Sequence, residues 1–317
     1  MPSLGRSAEY EQIKWDERIE HDLAALVDLA LWEDTAGGVD CTSEAIVPEE
    51  AWGRAAILAR TPGVVAGLRA IPNVLRKIDP SLRLSTDYVD GQEIKAPGPI
   101  GHITGLARKI LLAERIVLNI LGRLSGIATL TRQFVEAVAG TRARIFDTRK
   151  TTPGWRRLEK YAVRCGGGWN HRVGLFDGIL IKDNHLAFLS ELNPGVPHGK
   201  LAAEAIRRAK KFRDCWESQG RLPPLVEVEL ESPDDLEEVL RAGPDIVLLD
   251  NMQPEALRAA VALRDRINPA VELEASGGIT LETVRKVAET GVDRISVGAL
   301  THSAKALDFS LEWVPNP

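Results

Sequence analysis

Six short apolar runs in the second half of the chain each end on groups that could do chemistry. Ile145-Phe146-Asp147 leads into Thr148-Arg149-Lys150, and Ile179-Leu180-Ile181 leads into Lys182-Asp183-Asn184-His185. Val226-Glu227-Val228 delivers Glu229, and Ile246 to Leu249 delivers Asp250-Asn251. Val271 to Glu274 runs into Ser276-Gly277-Gly278, and Arg294 to Val297 runs into Gly298-Ala299. In a β/α barrel, reacting groups sit at the C-terminal ends of strands and in the loops beyond. Arginine matches a planar carboxylate through two parallel bonds, whereas lysine serves phosphate as a mobile point charge. Glu229 and Asp250 could accept sugar hydroxyls or hold Mg²⁺ through water, or they could pair with Lys150 or Lys182. The two glycine loops suit a phosphate cradled by backbone N–H groups; tight turns between strand and helix are the plainer reading.

Charge is concentrated beside these groups. Thr141 to Arg172 carries nine cations against two anions, in a chain of net charge −5. Such a cationic field suits an anionic small molecule. Arg149, Lys150, Arg172 and Lys182 flank apolar strands or a glycine run and read as site residues; Arg156, Arg157 and Lys160 read as helix-surface charges. Asp147 and Asp183 read as partners that orient the neighbouring cations. Gly166-Gly167-Gly168 permits close backbone approach to a ligand, and Asn170-His171-Arg172 follows directly, so an anion pocket is expected there rather than a flexible loop. His171 could donate to a carboxylate or be a packed histidine. HExxH, Walker, GxSxG and strand-borne GxGxxG motifs do not occur, which removes metalloprotease, P-loop kinase, α/β-hydrolase and dinucleotide-binding readings.

The elements that must position these groups follow from periodicity. Helical spacing predicts helices over Ile19–Trp32 and Leu68–Ile78, and a long one over Leu106–Ala139 broken near Gly122 and Ser125-Gly126. Arg54–Arg60 and Gly63–Leu68 read as strands, and Asp90-Gly91 as a turn between Leu82–Val89 and Gln92–Ile94. Beyond Gly126 the six apolar runs alternate with helical segments, the last over Ser303–Leu311, which implies a parallel sheet. A small or incomplete β/α barrel and a doubly wound open sheet both fit that alternation.

The 317 residues, 44% apolar and 27% charged, suffice for two domains with buried cores. A net acidic chain without a basic tail is a poor nucleic-acid binder. No apolar run is long enough to cross a bilayer, and the acidic first 23 residues lack a signal-peptide core. Three separated cysteines without a CxxC argue for reduced thiols in the cytoplasm.

Taken together, the motifs resemble those of quinolinate phosphoribosyltransferase, also called nicotinate-nucleotide pyrophosphorylase (carboxylating). The resemblance is carried by Asp147-Thr148-Arg149-Lys150-Thr151-Thr152-Pro153-Gly154, by Glu159 to Gly168, by Asn170-His171-Arg172 and by Leu180-Ile181-Lys182-Asp183-Asn184-His185. It continues through Glu227-Val228-Glu229, Leu248-Leu249-Asp250-Asn251, Glu274-Ala275-Ser276-Gly277-Gly278 and Gly298 to Ser303. Glu33-Asp34, Ala113-Glu114-Arg115 and Leu124 to Thr129 fit upstream, so nearly the whole chain is covered in order.

The resemblance implies an N-terminal α/β sandwich over 1–126 and a C-terminal, seven-stranded open β/α barrel of the type II phosphoribosyltransferase kind over 127–304. A tail at about 305–317 would pack back on the first domain. It implies transfer of phosphoribosyl from phosphoribosyl pyrophosphate to quinolinate with loss of CO₂, using Mg²⁺, in a homodimer with shared sites and room for higher assembly. By motif match, Thr148, Arg149, Lys150, His171, Arg172 and Lys182 would face quinolinate or pyrophosphate, with Arg115 lent by a partner subunit. Glu229 and Asp250 would hold ribose hydroxyls and water-bound Mg²⁺. Lys150, Lys182, Glu229 and Asp250 form the expected catalytic set, and Ser276, Gly277, Gly278, Gly298 and Ala299 would cradle the 5′-phosphate. Trp155 and Trp169 depart from the family's pattern, and Leu186 to Pro224 is longer than usual, which reads as a surface elaboration. Two rivals remain: a paralogous transferase using a mono-acid such as nicotinate, and a non-catalytic phosphometabolite sensor on the same barrel.

Overall fold

The computed structural model describes residues 9–95, 97–217 and 223–315. In chain order the helices are α1 (Glu17–Thr35), α2 (Cys41–Ile46), α3 (Ile71–Ile78), α4 (Ala107–Ala137), α5 (Arg156–Cys165), α6 (Asp183–Leu192), α7 (His198–Glu217), α8 (Leu236–Ala242), α9 (Pro254–Ile267), α10 (Leu281–Ala288) and α11 (Ala299–His302). The strands are β1 (Trp52–Ala59), β2 (Gly63–Val64), β3 (Arg83–Ser85), β4 (Glu93–Ile94), β5 (Gly98–Leu106), β6 (Arg144–Phe146), β7 (Gly178–Ile181), β8 (Leu225–Leu230), β9 (Ile246–Asp250), β10 (Glu272–Ser276), β11 (Arg294–Ser296) and β12 (Phe309–Val314). The chain divides into two compact units, one of residues 1–12, 133–149 and 169–298, the other of 13–132, 150–168 and 299–317.

The first unit is the parallel one. Its sheet has the order β6-β11-β10-β9-β8-β7, six strands among the described residues where seven were expected. A parallel bridge from Phe146 to Trp169 stands at the β6 edge, so Trp169 prolongs the sheet by one short pairing instead of a full strand. Parallel strands are covered on both faces and read as continuous apolar runs, and β9 is buried along Ile246 to Leu249 for that reason. Glu227 and Glu229 lie two apart on β8 and so share a face, as do Glu274 and Ser276 on β10. Of the long stretch between Leu186 and Pro224, residues 198–217 form α7 and 218–222 lie outside the described residues.

The second unit is built on an antiparallel sheet of order β12-β1-β5-β3, with β2 and β4 paired separately. The turn expected at Asp90-Gly91 is present, and of the strands on either side β3 joins β5 and β4 joins β2. Two expectations are corrected here. The helix expected over Ser303–Leu311 is replaced by strand β12, whose Phe309 opposes Ala59 and whose Val314 opposes Arg54. Sheet-edge pairing there overrides local propensity. The long helix α4 is not broken at Gly122 or Gly126. The glycines instead mark close backbone approach: a Cβ on Gly126 would meet the Lys305 carbonyl at 2.1 Å, and Leu307 N–H donates to the Gly122 carbonyl at 2.9 Å.

α5 also departs from expectation. Lys160 is fully buried, Arg157 donates to Asp22 at 2.9 Å and Arg156 to Thr151 Oγ1 at 3.1 Å, so none of the three is a free surface charge. The helix buries Leu158 to Val163 without a gap, while Arg156, Arg157 and Arg164 at its ends are half-buried. Glu159, fully buried, accepts from Arg123 Nε at 3.0 Å and Nη2 at 2.7 Å. It also accepts from Thr152 N at 3.2 Å and Thr152 Oγ1 at 2.8 Å.

Candidate active site

The Asn170-His171-Arg172 turn is held from below by Asp147 at the end of β6. One Asp147 oxygen accepts from Asn170 Nδ2 at 2.6 Å and the other from His171 N at 2.9 Å. Asp147 therefore orients the turn itself. The turn aims Arg172 back over β7, where Nη1 donates to the Gly178 carbonyl at 3.2 Å. Arg172 is only 8% exposed. Burial, and then the neighbouring Arg149 guanidinium, lower its pKa. The buried Arg172 and the half-buried Arg149 repel each other, and an anion between them would relieve that repulsion.

His171 is oriented by its own backbone. Arg172 N donates to Nδ1 at 2.8 Å, so the proton of the neutral ring sits on Nε2. Nε2 lies 3.1 Å from Glu227 and 3.5 Å from Glu274. Both carboxylates are fully buried. Burial, then the Glu227 charge, pushes Glu274 up to about 7. Burial also opposes the Glu227 charge, but His171 and Tyr10 outweigh it and hold that carboxyl below the usual range. Among the described residues, His171, Glu227 and Glu274 bring one potential metal-ligating atom each within 4.8 Å of one another. This triad was not foreseen as a group. Its sequence signal is the two-residue offset of Glu227 and Glu274 from rim positions on the same strands.

The rim lies at the C-terminal strand ends. Lys182, the last residue before α6, is ion-paired with Glu229. Asp250 accepts from Asn251 Nδ2 at 2.7 Å, and Asn251 N donates to the Ser276 carbonyl at 2.9 Å. The glycine loop after β10 is shaped by that contact. Gly277 has φ +91°, and a Cβ there would lie 2.2 Å from Asn251 Oδ1. Gly278 has φ +59° beside open space. The conformation favours glycine at both, and at Gly277 the close approach of Asn251 leaves no room for a Cβ.

Thr148, Arg149, His171, Arg172, Lys182, Glu229, Asp250, Ser276, Gly277, Gly278 and Gly298 all belong to the first unit, whereas Arg115, Lys150 and Ala299 belong to the second. In the second unit Thr301 Oγ1 donates to the Lys150 carbonyl at 2.8 Å, which fixes the backbone that carries the lysine. Arg115 is exposed on α4, near Glu114 at 3.4 Å. Trp155 starts α5, while Trp169 N donates to the Ile145 carbonyl at 2.8 Å and its ring lies under the Arg144 guanidinium, 5.0 Å from the ring centre.

The family model described as quinolinate phosphoribosyl transferase, N-terminal domain, matches residues 40–125, and that for the C-terminal domain matches residues 127–312. The chain belongs to the quinolinate phosphoribosyltransferase family. Within the family it is 40% identical over 291 residues to the probable nicotinate-nucleotide pyrophosphorylase [carboxylating] of Bacillus subtilis, covering 92% of this chain and 93% of that protein. It is 39% identical over 307 residues to the chloroplastic nicotinate-nucleotide pyrophosphorylase [carboxylating] of rice, covering 92% and 78%. The nicotinate-nucleotide pyrophosphorylase structure from Francisella tularensis superposes with a TM-score of 0.84 at 36% identity, over 96% of this chain and all of that one. Human nicotinic acid phosphoribosyltransferase shares the fold at 14% identity, with a TM-score of 0.55 over 92% of this chain and 73% of that one.

Proposed function

We infer that this chain transfers phosphoribosyl from phosphoribosyl pyrophosphate to quinolinate, giving nicotinate mononucleotide, pyrophosphate and CO₂. The observation that carries the substrate is the buried Arg172 with the half-buried Arg149 beside it, a pair that suits two adjacent carboxylates and exceeds what a mono-acid needs. The names of the relatives at about 40% identity also favour the diacid over nicotinate.

The chemistry asks little of a nucleophilic side chain. The pyridine nitrogen attacks as it stands, and the ribose carbon becomes cationic as pyrophosphate departs. Catalysis is then positioning plus charge stabilisation. Both substrates are anions; at an effective dielectric of ~20, each charge pair at ~4 Å is worth about 4 kcal/mol, so several fixed cations are needed to bring them together. After coupling, the ring nitrogen carries positive charge and stabilises the carbanion left by CO₂. In our reading Arg149, Arg172 and His171 hold quinolinate, while Lys150 and Lys182 meet pyrophosphate. Ser276 to Gly278, with Gly298 and Ala299, take the 5′-phosphate. Glu229 and Asp250, oxygen donors on adjacent strands, fit Mg²⁺ held through water, which would supply positive charge to the pyrophosphate. Before substrate arrives Lys182 neutralises Glu229.

Release of ¹⁴CO₂ from carboxyl-labelled quinolinate should require phosphoribosyl pyrophosphate. Turnover of nicotinate without turnover of quinolinate would reject the assignment, and nucleotide binding without CO₂ release would favour a sensor. We further propose a cytoplasmic homodimer in which Arg115 completes the partner's site. Mixed Arg115→Ala and Arg172→Ala protomers should then recover up to about a quarter of wild-type activity per site through heterodimers with one intact site. Verified mixing without recovery would reject the shared site.

A further inference from the structure

Residues 9–12, ahead of α1, belong to the first unit. Tyr10 is 3% exposed, and its ring stacks on His171 with centroids 4.6 Å apart and planes 25° from parallel. Its hydroxyl donates to Glu227. The ring rests where β7 begins with glycine: a Cβ on Gly178 would meet Tyr10 Cε1 at 2.5 Å. The Arg294 guanidinium, at the start of β11, lies 5.9 Å from the ring centre. Burial, then the Glu227 charge, raises the phenol well above its usual range, so it stays a donor.

The flanking residues fasten the segment. Glu9 is ion-paired with Arg144, which also binds Glu272 at 3.0 Å. Gln12 makes two bonds to Asn170: Nε2 donates to its carbonyl at 2.9 Å and Oε1 accepts from its N–H at 2.8 Å. Glu9 thus ties the segment to β6, while Tyr10 and Gln12 hold the turn that presents His171 and Arg172.

We propose that Tyr10 is a positioning residue for the pyridine diacid, acting through His171. Its ring covers one face of the imidazole, and its hydroxyl satisfies the Glu227 carboxylate that the imidazole Nε2 also approaches. Without the hydroxyl, the fully buried Glu227 loses a donor, and the imidazole is left as its nearest donor. The ring is then drawn toward Glu227 and away from the position that meets quinolinate. This inference rests on the assignment of quinolinate to His171 and Arg172.

The test is Tyr10→Phe in the full-length chain, which keeps the stack and removes the donor. KM for quinolinate should rise by about tenfold, the scale of a lost hydrogen bond to a charged group. The KM for phosphoribosyl pyrophosphate should stay within about twofold, because that substrate does not meet the imidazole in this reading. A purely structural role would reduce the active fraction, lowering kcat with both KM values unchanged. Tyr10→Leu, which also removes the stack, should exceed the effect of Tyr10→Phe. A quinolinate KM within twofold of wild type in the folded Tyr10→Phe protein, or an equal rise in both KM values, overturns the proposal. The ¹⁵N signals of the His171 ring, assigned with His171→Gln, report ring position independently of turnover. They should move in Tyr10→Phe, and unchanged signals overturn the proposal. Absence of CO₂ release by the wild type would instead overturn the functional reading and leave the ring signals to decide Tyr10.

Discussion

Arg172→Ala should lower kcat/KM for quinolinate by about 100- to 1,000-fold, the scale of truncating one partner of a buried charge pair. Two features set that size. Arg172 is nearly buried, so a carboxylate facing it has little water to fall back on once the guanidinium is gone. Arg149 lies close enough to depress it, against the opposing pull of Glu227 and Asp177, so the free enzyme holds a like-charge pair that an anion would relieve further. That crowding yields a second, opposite expectation. Removing Arg172 should leave the thermal stability of the substrate-free enzyme unchanged or higher, as when a strained functional charge is deleted. Arg172→Lys keeps the charge without the fork and should fall between alanine and wild type. Arg149→Ala should behave like Arg172→Ala. Steady-state kinetics together with thermal unfolding check both halves, and near-native kinetics in both alanine variants would overturn the pocket assignment.

The rim was legible in the sequence because parallel strands announce themselves. β9 is a run of four buried aliphatic residues ending on Asp250, and its shortness and the turn that follows favour a strand over a helix. The glycine loop after β10 was legible for a related reason, since Gly277 and Gly278 both adopt conformations that other residues resist. What escaped reading depends on distant pairing. β12 carries a weak alternation, and its strand state comes from lying against β1, more than 250 residues earlier in the chain. Gly126 looked like a helix break because a close backbone approach and a break leave the same residue in the sequence. Tyr10 escaped for the same reason in sharper form: it sits outside any periodic segment, and its partners, Glu227 and His171, are set by the sheet. Glu227 was quoted as part of a motif, yet one alternation from Glu229 was enough to separate a rim residue from a buried one.

Glu159→Gln should destabilise the protein by about 3–5 kcal/mol, the range for breaking a buried ion pair from one side. Glu159 is fully buried on α5 and makes four bonds with Arg123 and Thr152. Glutamine keeps the shape but removes the charge, and its amide places a donor where an acceptor is needed. Arg123 is then left with its Thr301 and Ala304 carbonyl contacts and no counter-charge. At roughly 2–4 °C per kcal/mol for a chain of this size class, the melting temperature should fall by on the order of 10 °C. The lesion also reaches the site. Thr152 stands two residues beyond Lys150, whose carbonyl accepts from Thr301, and Thr301 in turn presents its carbonyl to Arg123. Losing Glu159 loosens both supports of the backbone that carries Lys150, so kcat should fall in the fraction that remains folded. The double variant Arg123→Met with Glu159→Leu removes both charges and should be less destabilised than Glu159→Gln, because no buried charge is stranded. Equal losses in the two would show that shape, not charge, holds the loop, and a single variant as stable as wild type would overturn the role given to Glu159.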